Sequence, residues 1–233
     1  MINKIVDTIE SAVAGIEDGG VIMISGFGSA GQPTELIDAL IVQGARDLTI
    51  VNNNAGNGEA GIAALLKARR VRKMICSFPR QSDSYVFDAL YRAGEIELEV
   101  VPQGNLAERI RAAGAGIGAF YTPTGYGTLL AAGKETRRID GRDYMLDYPI
   151  HADFALIKAE AADRWGNLIY RKTARNFGPI MATAAKCCVA QVKRVVKLGD
   201  LDPESIVTPG LFVQRVVQIA PAVEAAIGAG SLV

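Results

Sequence analysis

Residues 18–33 read Asp-Gly-Gly-Val-Ile-Met-Ile-Ser-Gly-Phe-Gly-Ser-Ala-Gly-Gln-Pro. The apolar run Val21 to Ile24 predicts a short strand, and the three glycines that follow it predict a tight loop. Pro33 then opens an amphipathic stretch that predicts a helix. A strand, a glycine-rich loop and a helix in this order bring unpaired backbone N–H groups to an anionic ligand. The stretch therefore predicts an α/β unit with a ligand-binding loop.

Gly26, Gly28 and Gly31 also have the G-x-G-x-x-G spacing of a dinucleotide-binding loop. That interpretation requires a carboxylate about 20 residues further on, which would bind the ribose hydroxyls. The next predicted strand, Leu48 to Val51, is followed by three asparagines at positions 52–54 and by no acid. The spacing alone leaves open a dinucleotide loop, another anion-binding loop and a tight turn without a ligand.

The composition restricts the class of protein and its partners. Among 233 residues there are 25 basic and 25 acidic side chains, so the formal net charge is zero. This balance gives no indication of a nucleic acid or a membrane as a partner. With 25 glycines and only 6% aromatic residues, the chain has the texture of an α/β protein with many tight loops.

The cysteines and the N-terminal sequence bear on the compartment. Cys76, Cys187 and Cys188 have neither the number nor the spacing of a disulfide framework or a metal site, so we expect reduced, buried thiols and no bound metal. The first residues lack the basic and then apolar pattern of a signal peptide. No apolar run approaches the roughly 20 residues that span a bilayer. We therefore expect a cytoplasmic protein.

The first half of the chain repeats the strand–loop–helix pattern. The predicted helices cover a segment from Ile2 to Val13, residues 61–68, residues 82–91 with Ser82 as N-cap, and residues 106–113; the further strands cover 71–78 and 96–101. Successive units of this kind predict a doubly wound, mostly parallel sheet with helices on both faces. The loops at 25–32, 52–58 and 102–105 are expected to share the rim beyond the carboxyl ends of the strands.

The second half is more irregular. Strands are predicted at 144–148, 154–159, 168–171, 192–198 and 212–218, and a helix at 179–188. We find no internal repeat and no linker, so residues 1–220 are expected to form a single domain. Residues 221–233 are expected to be a C-terminal tail that frays.

Several stretches together resemble the A (α) subunits of family I coenzyme A transferases. The stretch at 18–33 matches their signature, and similar sequences occur at 77–85, 100–111, 120–127 and 175–179. The resemblance extends to about Gln218. It implies the single-domain α/β fold of the coenzyme A transferases.

The resemblance also implies roles for individual residues. The glutamine that matches Gln103 helps to form the oxyanion hole, in which an oriented amide N–H stabilises the charge that develops on a thioester oxygen. Gly104 and the residues Asn52, Asn53 and Asn54 are expected at the rim of the substrate pocket. The loop expected to bind coenzyme A through its backbone consists of Ser25, Gly26, Phe27, Gly28, Ser29, Ala30 and Gly31.

In this family the nucleophile is a glutamate in a Ser-Glu-Asn-Gly motif of the B (β) subunit. This chain contains no such motif, and Glu59, which follows Asn57-Gly58, comes nearest with the wrong order. The resemblance therefore implies that a B subunit supplies the glutamate, in an α2β2 assembly. It implies transfer of coenzyme A from succinyl-CoA to a 3-oxoacid, with 3-oxoadipate expected and acetoacetate as the alternative. The coenzyme A thioester would be a substrate, and no permanently bound cofactor is expected.

Other interpretations of the residues remain. One is an NAD(P)-dependent dehydrogenase that uses the glycine spacing. Another is a non-catalytic metabolite-binding module on the fold shared with sugar-phosphate isomerases. His151, the single histidine, has no recognisable Ser or Cys partner and is expected to be structural. Arg80 and Lys134 are candidates for binding a substrate carboxylate.

Overall fold

The computed structural model describes residues 1–219, and the predicted C-terminal tail at 221–233 lies outside these residues. The helices are α1 (Ile9–Val13), α2 (Thr34–Gln43), α3 (Ile62–Lys67), α4 (Tyr85–Arg92), α5 (Gln103–Gly114) and α6 (Gly178–Ala184). The strands are β1 (Val21–Ile24), β2 (Leu48–Val51), β3 (Val71–Cys76), β4 (Glu97–Val100), β5 (Phe120–Thr122), β6 (Thr136–Ile139), β7 (Arg142–Asp147), β8 (Ala152–Ala162), β9 (Leu168–Ile169), β10 (Ala185–Val195) and β11 (Arg215–Gln218).

The main sheet has the strand order β11-β10-β8-β1-β2-β3-β4. All these neighbours pair in parallel, and the short β9 adds an antiparallel hairpin to β8. From β1 the chain moves outward through β2, β3 and β4, whereas from β8 it moves the opposite way through β10 and β11. The predicted doubly wound, mostly parallel sheet is confirmed, and the connections change direction between β1 and β8.

Helices cover both faces of the sheet, as predicted. One core contains residues of α1 to α4, such as Leu36, Leu65 and Phe87, packed on β-strand residues such as Ile22. The other contains Leu106 and Ile110 of α5 and Met181 of α6, packed on the opposite side of the strands. Because both faces of the sheet are covered, all four residues of β2 are buried, and three of them are apolar, the exception being Thr49.

The sequence patterns did not predict the second sheet. Strands β5, β7 and β6 form a small antiparallel sheet in this order. Its strands expose many polar and charged side chains, so their apolar periodicity is weak. Contacts with α5, described below, hold this sheet beside the main one.

The predicted N-terminal helix from Ile2 is wrong in its first part. Residues 4–6 are extended and pair with the edge strand β11, through Val6 N to Val216 O (2.9 Å) and Val216 N to Lys4 O (2.8 Å). The helix begins only at Ile9, where the Thr8 side chain accepts a hydrogen bond from Ser11 N (3.1 Å). The open backbone groups of an edge strand outcompete the helical pattern here.

Other boundaries also differ from the predictions. The predicted helix at 179–188 ends at Ala184, because β10 begins at Ala185 and pairs with β8 along nearly its whole length. Ser82 does not cap α4, which begins at Tyr85. The predicted strand at 212–218 starts at Arg215, after a 3-10 turn at Gly210–Phe212. Short apolar runs do not distinguish helix from strand, and strand pairing decided these cases.

Within residues 1–219, no helix combines the length and the apolar content that crossing a membrane requires.

Candidate functional site

Three loops meet at the carboxyl edge of the main sheet. The first follows β1 (the glycine loop, residues 25–32), the second follows β2 (the asparagine loop, residues 52–58), and the third joins β4 to α5. Phe27 and Asn53 from the first two loops, and Gln103 at the start of α5 directly after the third, line one cavity of about 350 Å³. The predicted common rim is therefore confirmed. We call this space the Gln103 cavity.

The glycine loop forms a tight turn with an exposed tip. Phe27 N donates to Ala30 O (3.0 Å), and Ala30 N donates to Phe27 O (3.2 Å). Gly28 lies at the tip with φ +60°, and a Cβ added there would meet no atom within 4 Å. Within the described part of the chain, the N–H groups of Gly28 and Ser29 have no hydrogen-bond partner. The tip is therefore the part of this loop that is open to a ligand.

The ends of the glycine loop are buried and structural. The Ser25 hydroxyl donates to Gly31 O (2.6 Å) and accepts from Lys158 N (3.2 Å), which joins the loop to β8. Asn176 accepts from Gly26 N (3.2 Å) through Oδ1 and donates to Ala30 O (2.8 Å) through Nδ2. Of the residues assigned to coenzyme A binding, Ser25, Gly26 and Gly31 are thus buried under the tip.

The three asparagines after β2 are also buried, with 0 to 2% of their surface exposed. Asn52 Nδ2 donates to Ile24 O (2.6 Å), and its Oδ1 accepts from Asn54 N (2.8 Å). Asn54 Oδ1 accepts from Gly56 N (3.0 Å). These bonds shape the loop, and of the three asparagines Asn53 lines the Gln103 cavity.

Gln103 is exposed at the first turn of α5, directly after Pro102. Its Nε2 donates to Asn53 Oδ1 (2.7 Å), which also accepts from the Ser77 hydroxyl (2.7 Å). A carboxamide nitrogen carries two hydrogens, so one N–H of Gln103 is held by Asn53 and the second is available to a ligand. Gly104 is exposed beside it, with open space where a side chain would be.

The sequence analysis missed several residues that line the Gln103 cavity. Ser77, Phe78 and Gln81 follow β3 and complete its lining. Phe27 and Phe78 are each about half exposed, which gives the cavity an apolar mouth. Their position after the carboxyl end of a parallel strand, β3, is the signal that would have found them.

The helix that carries Gln103 is anchored to the small sheet by buried polar groups. Asn105 Nδ2 donates to Thr124 O (3.1 Å), and the Thr122 hydroxyl donates to Asn105 Oδ1 (3.3 Å). Further along α5, Arg109 donates to Tyr148 O (2.8 Å) and lies 3.6 Å from the buried Asp147 carboxylate. These contacts fix α5, and with it the position of Gln103.

Arg109 also links α5 to the edge strand β4. It pairs with Glu99 (2.9 Å), which pairs with Lys73 (2.7 Å) as well. Burial raises the pKa of Glu99, but the hydrogen bonds and charges of Lys73 and Arg109 outweigh it and hold this pKa below its usual range. Glu99 is therefore a carboxylate that contributes to stability at neutral pH.

The other candidate side chains do not line the Gln103 cavity. Glu59 pairs with Lys67 (3.1 Å), Arg80 with Asp88 (2.7 Å), and Lys134 with Asp147 (3.1 Å). His151 directly precedes β8 and therefore lies at the amino edge of the sheet, opposite the cavity. His151 is exposed there, and the structural role expected for it stays a prediction.

The three thiols do not line the Gln103 cavity. Cys76 and Cys188 are buried, as predicted, whereas Cys187 is partly exposed. Burial raises the pKa of Cys76 to about 12 and raises the pKa of Cys188 further. Within residues 1–219, no cluster of three or more His, Cys, Asp or Glu side chains has the arrangement of a metal site.

Comparisons with known proteins agree with this architecture. A protein of Pseudomonas putida, named as the A subunit of 3-oxoadipate CoA-transferase, is 72% identical over 227 residues, which cover 97% of this chain and 98% of that protein. A protein of Helicobacter pylori, named as the A subunit of succinyl-CoA:3-ketoacid coenzyme A transferase, is 45% identical over 92% of this chain and 91% of its own length.

The fold is also found among solved structures. An acyl-CoA transferase from Escherichia coli O157:H7 superimposes with a TM-score of 0.83 at 24% identity, over 94% of this chain. This chain spans about half the length of that protein, 50%. The family model described as "Coenzyme A transferase" matches residues 6–219, nearly all of the sequence. The chain belongs to the coenzyme A transferase family.

Proposed function

We propose that this chain is the A subunit of a transferase that moves coenzyme A from succinyl-CoA to 3-oxoadipate. The observation that carries the proposal is the high identity, over almost the full length of both chains, to the Pseudomonas putida protein of that name. The arrangement of the Gln103 cavity supports it, because an exposed carboxamide N–H stands at the mouth of a partly apolar pocket.

Gln103 would stabilise the oxyanion in this reaction. Attack on a thioester carbonyl places negative charge on its oxygen, and a donor that is already oriented stabilises this charge without reorganising. Asn53 holds the carboxamide by one hydrogen, and Ser77 holds Asn53. The second hydrogen of Gln103 is thereby directed by two buried or partly buried neighbours before the substrate arrives.

The nucleophile would come from a second polypeptide. Among residues 1–219, no carboxylate lines the Gln103 cavity. In the proposed reaction a glutamate supplied by the partner polypeptide attacks the carbonyl of succinyl-CoA and expels the coenzyme A thiolate, which leaves a mixed anhydride. The thiolate then attacks the glutamyl carbonyl and releases succinate, and the carboxylate of the 3-oxoacid accepts coenzyme A by the reverse steps.

The proposal includes the setting of the reaction. The assembly would be an α2β2 heterotetramer in the cytoplasm, with coenzyme A as a substrate and no permanently bound cofactor. The exposed aromatic rings of Phe27 and Phe78 at the mouth of the cavity are the surface that the B subunit would have to approach in order to place its glutamate near Gln103.

Acetoacetate is the second candidate acceptor. The Helicobacter pylori protein is named for a 3-ketoacid acceptor, which is compatible with acetoacetate, but its identity to this chain is lower than that of the 3-oxoadipate protein. The two acceptors differ in chemistry, because 3-oxoadipate carries a second carboxylate and acetoacetate does not. A specificity for 3-oxoadipate would therefore require a cationic group that neither Arg80 nor Lys134 supplies freely.

The test is an assay of succinyl-CoA with each acceptor, using this chain alone and this chain co-expressed with a B subunit. We expect transfer only from the co-expressed complex, and a higher kcat/KM for 3-oxoadipate than for acetoacetate. Transfer by the isolated chain would refute the division of labour between the two polypeptides. A complex that forms and transfers nothing would refute the proposed reaction.

A further inference from the structure

A second and larger cavity lies beside the glycine loop. Its volume is about 570 Å³, and it is lined by Phe27 and Ala30 on one side and by Lys172, Thr173, Arg175 and Asn176 on the other. Phe27 also lines the Gln103 cavity, so the two spaces adjoin at this ring. A volume of this size is typical of small-molecule sites. We call it the basic cavity.

Two positive charges line the basic cavity without acidic partners. Lys172 and Arg175 belong to a 3-10 turn, Lys172–Arg175, and neither has a carboxylate within ion-pair distance in residues 1–219. The remaining lining residues, such as Thr173, are neutral. Arg80 and Lys134, by contrast, are both paired. The cavity therefore has a net positive charge.

The turn that carries these cations is fixed on the glycine loop. Asn176 hydrogen-bonds to Gly26 N and Ala30 O, and it also donates to Thr173 O (2.8 Å). A Cβ on Gly31 would lie 2.4 Å from Ala174 O, so only glycine permits this approach of the two backbones. The position of the cations relative to the glycine loop is thus set before any ligand binds.

The backbone at Lys172 is held in an unfavourable conformation. Its φ is +50°, in the left-handed region that residues with a Cβ adopt at a cost. Backbone strain of this kind persists only where the surrounding structure enforces it, and it is concentrated at ligand sites.

The topology brings the same two segments together. The connections of the main sheet reverse direction between β1 and β8, and ligands of open α/β sheets bind beyond the carboxyl ends of the strands at such a point. The glycine loop follows β1, and the turn at 172–175 follows the β8–β9 hairpin. The basic cavity therefore lies where the fold favours a ligand.

We propose that Lys172 and Arg175 form an anion-binding site for the charged end of a substrate whose thioester carbonyl lies at Gln103. The inference rests on the proposed function. Within residues 1–219, the Gln103 cavity has no charged lining residue, and Lys172 and Arg175 would supply the cations that recognise a charged part of the substrate. Arginine binds phosphate or carboxylate oxygens in pairs, and lysine adds a point charge. The anion is either a phosphate of coenzyme A or the free carboxylate of the dicarboxylic acyl group.

The test uses the double variant Lys172→Gln/Arg175→Gln in complex with the B subunit. Calorimetric titration with coenzyme A and with succinate measures binding whether or not the complex turns over. We expect the double variant to bind one of these two probes at least tenfold more weakly. Arg171→Gln is the matched control, because Arg171 is an exposed neighbour that does not line the cavity, and the variant Lys172→Arg/Arg175→Lys, which keeps both charges, should restore much of the binding.

The kinetic constants identify the source of the anion. A KM that rises for succinyl-CoA together with weaker coenzyme A binding assigns the site to the phosphates. A KM that rises for 3-oxoadipate but not for acetoacetate assigns it to the acyl carboxylate. If binding of both probes by the double variant stays within twofold of the wild type, or if the wild type binds neither, the anion site is refuted. If the wild-type complex binds a probe, the double variant binds it at least tenfold more weakly, and the wild-type complex transfers nothing, the proposed reaction is refuted but the anion site is not.

Discussion

The glycine loop and the asparagine loop follow neighbouring parallel strands, but the first presents backbone groups to the ligand edge and the second uses its side chains to build that edge. The glycine loop presents the backbone of its tip, and its buried ends are held by Ser25 and Asn176. The asparagine loop buries its side chains, which bind its own backbone and that of β1. Polar residues at a ligand edge therefore do not all face the ligand: some of them build the edge.

Gln103 faces the cavity, and its orientation depends on Asn53, a residue of the asparagine loop. Replacing Gln103 with alanine should lower kcat of the complete complex by about 10²-fold or more, because losing one oxyanion donor costs about 2.7–4 kcal/mol. The variant should fold normally, since Gln103 is exposed. Steady-state assays at saturating substrates check this, with Gln218→Ala on the exposed end of β11 as the control. An unchanged kcat would remove Gln103 from the mechanism.

Two glycines of the same loop separate ligand binding from folding. Gly28→Val should cost some stability, because a β-branched side chain is strained at a φ of +60°, but no atom of the described residues lies within 4 Å of the added Cβ, so the main expected effect is coenzyme A binding that is weaker by about tenfold or more, which is about 1.4 kcal/mol. Gly31→Ala should instead destabilise the protein by about 1–3 kcal/mol, because its Cβ would overlap Ala174 O. Calorimetry and urea unfolding measure the two effects. Normal coenzyme A affinity in Gly28→Val would make the tip a structural turn.

The asparagines should separate in the same way. Asn52→Ala leaves Ile24 O and Asn54 N buried without partners and should lower the free energy of unfolding by about 2 kcal/mol. Asn53→Ala should act mainly on kcat, because its Oδ1 orients Gln103. Urea unfolding and steady-state kinetics of both variants check this contrast. Equal effects of the two variants on both quantities would contradict it.

Ser77 tests whether the orientation of Gln103 extends beyond Asn53. Ser77→Ala removes a hydrogen bond worth about 0.5–1.5 kcal/mol and should lower kcat a few fold, with KM for succinyl-CoA unchanged. Ser77→Thr keeps the hydroxyl and should retain most of kcat. A loss in Ser77→Thr as large as that in Ser77→Ala would mean that packing, not the hydroxyl, matters at this position.

The smallest expected effect concerns Glu99 of the edge strand β4, which pairs with Arg109 of α5 and lies outside both loops. The pKa of Glu99 is lower in the folded protein than its ordinary value of 4.5, so its contribution to stability is present above that value and is lost as the pH falls through the folded pKa. Stability measured in urea should therefore decline less steeply on acidification in Glu99→Gln than in the wild type. Parallel pH profiles would show that the contacts of Glu99 with Lys73 and Arg109 do not contribute to this dependence.

Local patterns were sufficient where one strand and one loop decide the conformation. The strand and loop from Val21 to Gly31, and the polar loop that follows β2, take their conformation from residues that are close in sequence. Periodicity and glycine placement therefore predict both. The role of Gln103 came from the family resemblance and not from any local pattern. It stays a prediction, although the structure places Gln103 in a cavity with Phe27 and Asn53.

Hydrophobic period and the rule for parallel strands predict the α/β class, the order of the first strands and helices, and the rim on which the three loops meet. Three further features depend on contacts in the folded chain: Lys4–Val6 pair with β11, β10 begins at Ala185, and Lys172 and Arg175 lie beside the glycine loop. Each of these depends on groups more than 20 residues apart, and no local pattern records which distant partner offers the better pairing.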